Sequence, residues 1–292
     1  MGAGSPCSPP SQDRSLDGGG AEDPTIAQPG DRSTYLAGEA RLRDPDRYLC
    51  ALFAPAARRD AFLGLVLFNQ ELARIPGAVN QPVAGYIRYQ WWREAVDELA
   101  AGKPARRHPV VAELAAALER GWAAPDQLRA LVEAREQALE QVDVRDLAAL
   151  ELYVAGTSGA LQALLYAALG GRGAGEADAA TSIGTAFGLL GVAGAVSGEA
   201  AEGRPEAGAS GHLAQANRAM LDRAESLLRA GRERAGRPPR EHMAAFLLAS
   251  LADHQLQRIR RRGVDAPPPA PELAWPPLAP LRLLARTLAR RP

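Results

Sequence analysis

The chain has 292 residues, 47% hydrophobic and 23% charged, with 34 basic side chains balanced by 34 acidic ones. That balance supplies no field for nucleic acid or for a strongly acidic partner, and the length suits one large core or two modest ones with no central boundary marked. Alanine and leucine dominate and strand-type alternation is nearly missing, so the composition excludes a β-rich fold and reads as all-α.

Residues 1–33 are rich in Gly, Ser, Pro and Asp and carry too little apolar surface to offset the entropy of ordering them, which predicts a disordered tail with order beginning near Ser33 or Thr34. Asp13, Asp17, Glu22 and Asp23 in that tail, without a basic start or an apolar h-region, read as neither a signal nor a transit peptide, and a cytoplasmic location is expected. Cys7 and Cys50 lie in unlike surroundings and read as free thiols in a reducing compartment.

A short helix is expected over Asp46–Phe53, ending at Ala54-Pro55. Residues 60–99 then read as two helices. The first carries Phe62, Leu65, Val66 and Leu72 and breaks at Ile75-Pro76-Gly77; the second opens at Asn80 and continues through Val83, Ile87, Trp91 and Val96. Between Asp60 and Glu94 the one carboxylate is Glu71. Amphipathic helices follow over His108–Arg120 and Pro125–Leu139.

Two stretches carry no charge, Leu152–Gly171 and Ala179–Gly198, each about long enough to cross a bilayer. Their many Ala, Gly, Ser and Thr residues favour buried central helices over membrane spans. Gly184 and Gly188, four apart, suit close helix approach. Residues 199–211 read as a loop, Leu213–Arg234 and Glu241–Arg262 as helices, and Ala266–Pro280 as a proline-rich break. The stretch 281–291 is short, basic and amphipathic; it lies on a membrane surface or a partner, or it packs its leucines on the domain. The organisation expected is thus a tail at 1–33, a helical domain at 34–265, and a proline-rich segment with a basic helix at 266–292.

The histidines His108, His212, His242 and His254 never fall three or four apart, and no Cys-x-x-Cys occurs, so no zinc site is expected. No phosphate-cradling glycine motif follows a strand. One resemblance is specific. The segment 44–75, DPDRYLCALFAPAARRDAFLGLVLFNQELARI, followed by GYIRYQWWREAVDEL (85–99), resembles the N-terminal half of the squalene/phytoene synthase family. It is most similar to a non-catalytic branch that includes a mitochondrial complex I assembly factor, with which it shares Tyr48-Leu49-Cys50, Phe68-Asn69 and Glu71-Leu72-Ala73. Residues 153–170, YVAGTSGALQALLYAALG, resemble the tyrosine–small-residue helix of the same family.

The resemblance covers roughly residues 35–265 and implies an isoprenoid-synthase-like helical bundle around a central apolar cavity. Catalytic members condense two prenyl diphosphates, and that chemistry needs two facing aspartate-rich motifs, because each diphosphate leaves only when Mg²⁺ and basic groups neutralise it. This chain departs from both. Where the first motif belongs only Glu71 is acidic, with Arg74 placed to pair with it; where the second belongs the chain reads FGLLGVAGAVSGEAAEGR, with no charge before Glu199.

The reading is therefore a non-catalytic family member that acts by binding, with respiratory complex I subunits as partners and neither metal nor cofactor. The enzyme alternative is a prenyltransferase with an altered Mg²⁺ site built from Glu71, Glu199 and Glu202; a third reading is an isoprenoid or lipid carrier. Phe68, Asn69, Glu71, Arg74, Trp91, Arg93 and Tyr153 are the candidate ligand- or partner-binding residues, with a peripheral contact to the inner membrane as a further expectation. Glu71 is equally readable as a surface partner of Arg74. Trp91 and Trp92, being adjacent, split between core and a half-exposed position, and Tyr48, Tyr86 and Tyr153 read as core.

Overall fold

Pro29 opens the first helix of the computed structural model, which describes residues 29–140, 143–201, 210–262 and 278–292. The helix α1 (Pro29–Arg43) starts ahead of the Ser33 onset expected for order. Its first turn is tied down: Ser33 Oγ donates to Asp60, and Arg32 reaches Glu113 at 3.5 Å. Proline suits that first turn because its missing N–H has no helical partner there anyway. Most of the tail and of the proline-rich segment lies outside the described residues.

Asp44 caps α2 (Pro45–Ala51), its side chain accepting from the Arg47 N–H at 3.1 Å. The helix ends at Ala51, short of the expected Phe53, and α3 (Ala56–Arg74) follows. Every residue from Ala61 to Asn69 is buried, so α3 is a core helix on all sides and not a half-buried one. A single helical turn at Pro76–Ala78 then leads to α4 (Pro82–Ala100). Gln81, not Asn80, is its flanking residue, and no side chain caps it.

The core stripe of α4 is also not the one expected. Gly85, Tyr89, Trp92 and Val96 turn inward, at i, i+4, i+7 and i+11, while Val83 and Ile87 are 65% and 66% exposed and Tyr86 also faces out. The stripe rotates because the two largest rings that can be sealed, Tyr89 and Trp92, take the core. At Gly85 the Leu139 side chain closes over the helix, and a Cβ there would sit 2.7 Å from Leu139 Cδ2.

His108 caps α5 (Pro109–Glu119), and α6 (Pro125–Glu136) follows. The chain then runs as α7 (Leu147–Val154), whose last residues open the charge-free stretch, a widened π-type turn over Ala155–Gly159, and α8 (Ala160–Ala168). Next come α9 (Ala174–Ala201), α10 (Ser210–Ala235), α11 (Met243–Phe246), α12 (Leu248–Arg262) and α13 (Ala279–Ala289). Among the described residues there is no strand.

Helix α9 is the hub, packed by α7, α8, α10 and α12, while α8 bridges it to α3. Residues Leu147–Ala168 and Ala174–Val196 are long and apolar enough to cross a membrane by length and composition, and about half of each apolar window is buried within the bundle. The close approach expected of Gly184 and Gly188 is present: a Cβ on Gly184 would lie 2.4 Å from the Ser158 carbonyl oxygen, and one on Gly188 2.3 Å from Val154 Cγ1. At the end of α12 Arg260, Arg261 and Arg262 are exposed, and Arg260 bonds Asp222 and Glu225 of α10 at 2.9 Å each.

Candidate functional site

The N-cap that starts α2 also builds the centre of the bundle. Asp44 accepts from its own helix N–H and from the Arg47 guanidinium at 2.9 Å, and the pair is almost wholly buried. Such a pair is tolerated only when the remaining donors are satisfied. Here Arg47 Nε donates to Gln162 Oε1 at 3.2 Å and Nη2 to Ser158 Oγ at 2.8 Å, while the guanidinium lies 4.9 Å from the Phe187 ring centroid. Ser158 Oγ donates onward to the Gly184 carbonyl at 2.7 Å, and Gln162 Nε2 to the Ala245 carbonyl at 2.6 Å. One side chain thus joins α2 to the π-type turn, α8 and α9, and through Gln162 to α11.

A second arginine enters from the end of α6. Arg135 donates from Nε and Nη2 to Asn69 Oδ1, at 3.0 and 2.7 Å, and from Nη1 to Tyr153 Oη at 3.4 Å. Burial pulls its pKa down from the usual arginine range, Tyr153 opposes that, and nearby Arg47 adds to it. Tyr89 Oη shares its proton between the Leu72 and Arg135 carbonyls, 3.0 Å from each. The candidates Asn69 and Tyr153 therefore meet, joined by a residue the sequence reading did not single out.

At the outer end of α3 the picture differs. Glu71 does not pair with Arg74; it receives Arg43, which also holds Glu39 at 2.6 Å. Arg43 reaches it because α1 lies along α3, while Arg74 turns outward into a cleft of about 300 Å³ that it shares with Glu71, Arg88, Trp91 and Trp92. Trp92 is buried edge-on to Phe68 with centroids 5.3 Å apart, and Trp91 is half-buried beside it. Tyr86 is exposed rather than core, and it lines a second groove, about 480 Å³, with Val83, Ile87 and Trp91. Arg93 is held bidentately by Glu136 at 2.8 and 3.0 Å, so it ties α4 to α6 and leaves no free fork for a ligand.

His108 stands against both indoles, centroids 5.8 and 5.2 Å away. Its Nδ1 accepts from the Val110 N–H at 3.2 Å, and burial lowers its pKa, which keeps the imidazole neutral. It is a helix cap with an aromatic packing role.

A Mg²⁺ cluster needs several oxygen ligands converging on one point. Among the described residues no group of three His, Cys, Asp or Glu side chains is placed to hold a metal ion. Glu71 is already engaged by a guanidinium, and the residues from Ala179 to Val196 bring no carboxylate. The Glu199 side chain and Glu202 lie outside the described residues.

Arg43, Asp44, Arg47, Arg135 and Gln162 were the residues missed. The Asp-Pro-x-Arg run at 44–47 was a legible helix start, with Pro in the first turn and Asp before it. No local signal marks Arg135, whose Asn69 partner is 66 residues away.

Known proteins resemble this chain in sequence and in fold. A sequence profile described as squalene/phytoene synthase matches residues 40–279. The chain is 33% identical over 150 residues to the Homo sapiens protein named NADH dehydrogenase (ubiquinone) complex I, assembly factor 6, which is 51% of this chain and 45% of that protein. Against the Rattus norvegicus protein of the same name it is 32% identical over 160 residues, 55% of this chain and 48% of that one. The chain thus spans about half the length of the curated relatives it matches. A crystal structure of a dehydrosqualene synthase in complex with ligand aligns with a TM-score of 0.73 at 14% identity, over 89% of this chain and 96% of that one. For a squalene synthase from Alicyclobacillus acidocaldarius the TM-score is 0.66 at 16% identity, over 81% and 95%. At those identities the likeness is one of fold.

Proposed function

The chain belongs to the squalene/phytoene synthase family, and we propose that within it this protein works by binding and without a cation, as an assembly factor for respiratory complex I. The observation that carries the reading is the fate of Glu71. The one carboxylate left where the family's first acidic motif belongs is neutralised by Arg43, so it is not free to gather Mg²⁺. The interior supports the same reading, because the Arg47 and Arg135 networks engage buried polar side chains with one another and tie the helices together. Such a molecule keeps the family's shape as a rigid body to which a partner docks. The named function of its relatives points to complex I subunits as that partner.

The test has two arms. Purified protein with farnesyl diphosphate, geranylgeranyl diphosphate and Mg²⁺ is expected to release no pyrophosphate above a protein-free control; robust release sinks the non-catalytic reading. In the native host, deleting the gene is expected to lower assembled complex I and NADH-driven quinone reduction in isolated membranes, with Glu71→Gln restoring both. Normal complex I in the deletion strain removes the assembly role.

A further inference from the structure

Helix α13 is seated on the domain by Ala279 and Leu283. Its other leucines point elsewhere: Leu281, Leu284 and Leu288 are 62%, 45% and 62% exposed. At i, i+3 and i+7 they form one ridge on the side away from the seat. Solvated leucines in a row are costly unless something covers them.

The flank beside that ridge is cationic. Arg282 and Arg286 face α12 across a cleft of about 500 Å³, with Arg291 at its end and His254 and Asp253 on the far wall. Among the described residues Asp253 is the one side-chain carboxylate lining the cleft, and Arg232 already holds it at 3.1 and 2.6 Å. No acidic residue occurs between Ala279 and Pro292. Arg286 and Arg290 donate to main-chain oxygens of Pro292, Pro238 and Arg237, and among the described residues no Asp or Glu side chain bonds either of them. The field is felt locally: His254 is held below its usual pKa first by burial and then by Arg258, Arg282 and Arg261.

We infer that α13 is an interfacial helix for an anionic phospholipid bilayer, with the Leu281–Leu284–Leu288 ridge entering the acyl boundary and the Arg282–Arg286–Arg291 flank taking phosphate headgroups in the α12–α13 cleft. The arrangement has the parts such a helix needs: an apolar face clear of the protein, cations at headgroup level beside it, and a rigid seat behind. A protein partner would satisfy the leucines equally well; the uniform positive charge of the flank favours an anionic sheet.

Vesicle flotation of the full chain decides it, using phosphatidylcholine alone and phosphatidylcholine doped with phosphatidylglycerol. The expected result is flotation with the doped vesicles only, weakening as salt is raised. Leu284→Glu is expected to lower partitioning about tenfold, and Arg282→Gln and Arg291→Gln about fivefold each. These side chains are exposed, so unchanged circular dichroism and melting are expected to show that each variant folds. Ile87→Asp, on the other exposed apolar face, is expected to change nothing. Failure to float, equal binding to neutral vesicles, or loss through Ile87→Asp but not Leu284→Glu overturns the inference.

Discussion

Two regions stand where the family's two acidic motifs belong, the outer end of α3 and the middle of α9, and they have changed in different ways. At α3 a carboxylate is still present, half-buried and clamped by Arg43, at the edge of an open cleft. From Ala179 through Val196 α9 carries no charge, and glycine contacts occupy the face, with Gly184 and Gly188 against the Ser158 turn. The first region could be altered at little cost, because a surface-edge ion pair contributes little to stability. The second is committed to packing, because close-packed backbone has no room to give. What separates a vestige from a structural element is thus how much of the fold leans on it.

The comparison is broken hardest at Arg47. Arg47→Leu leaves the Asp44 carboxylate buried and unpaired and removes the link between α2, Ser158 and Gln162; it is expected to cost about 3–5 kcal/mol in urea unfolding. Adding Asp44→Asn is expected to recover part of that loss, and no recovery means the pair is not what holds the site. Gly184→Ala comes next, with an expected cost of about 1–3 kcal/mol, since the new Cβ meets the Ser158 carbonyl oxygen and Gln162 Cβ rather than a flexible chain end. Ser158 bonds both Arg47 and Gly184, so the costs of these two changes are expected not to add. The smallest effect belongs to Glu71→Gln. Arg43 keeps Glu39, so a change of less than about 1 kcal/mol is expected; a loss as large as that of Arg47→Leu would make the α3 end a structural centre after all.

Much of this was readable along the chain. The charge-free, alanine- and glycine-rich run at 179–198 announced a central helix, and it is one, because a helix without charged residues finds its stability by packing much of its surface against its neighbours. Gly184 and Gly188 announced close approach by their spacing. The face of α4 was misread, since Val83 and Ile87 fit a helical stripe as well as Tyr89 and Trp92 do, and periodicity alone does not choose between two apolar stripes on one helix. Nor did the sequence choose Arg43 over Arg74 for Glu71, because the sequence pattern marks no helix at Arg43 and α1 belongs to the structure alone.

The sequence by itself determined the helical content, the family and the loss of acidic residues from both motifs, because composition, local spacing and the presence of a residue are properties of the chain. Only the tertiary structure decided which charges meet. Arg43 finds Glu71 across 28 residues, Arg135 finds Asn69 across 66, and Arg47 finds Gln162 across 115. Those pairings follow from how the helices pack, and no local pattern encodes them. The same packing turned Leu283 of α13 inward and left Leu281, Leu284 and Leu288 outside, which made a ridge out of an ordinary amphipathic helix.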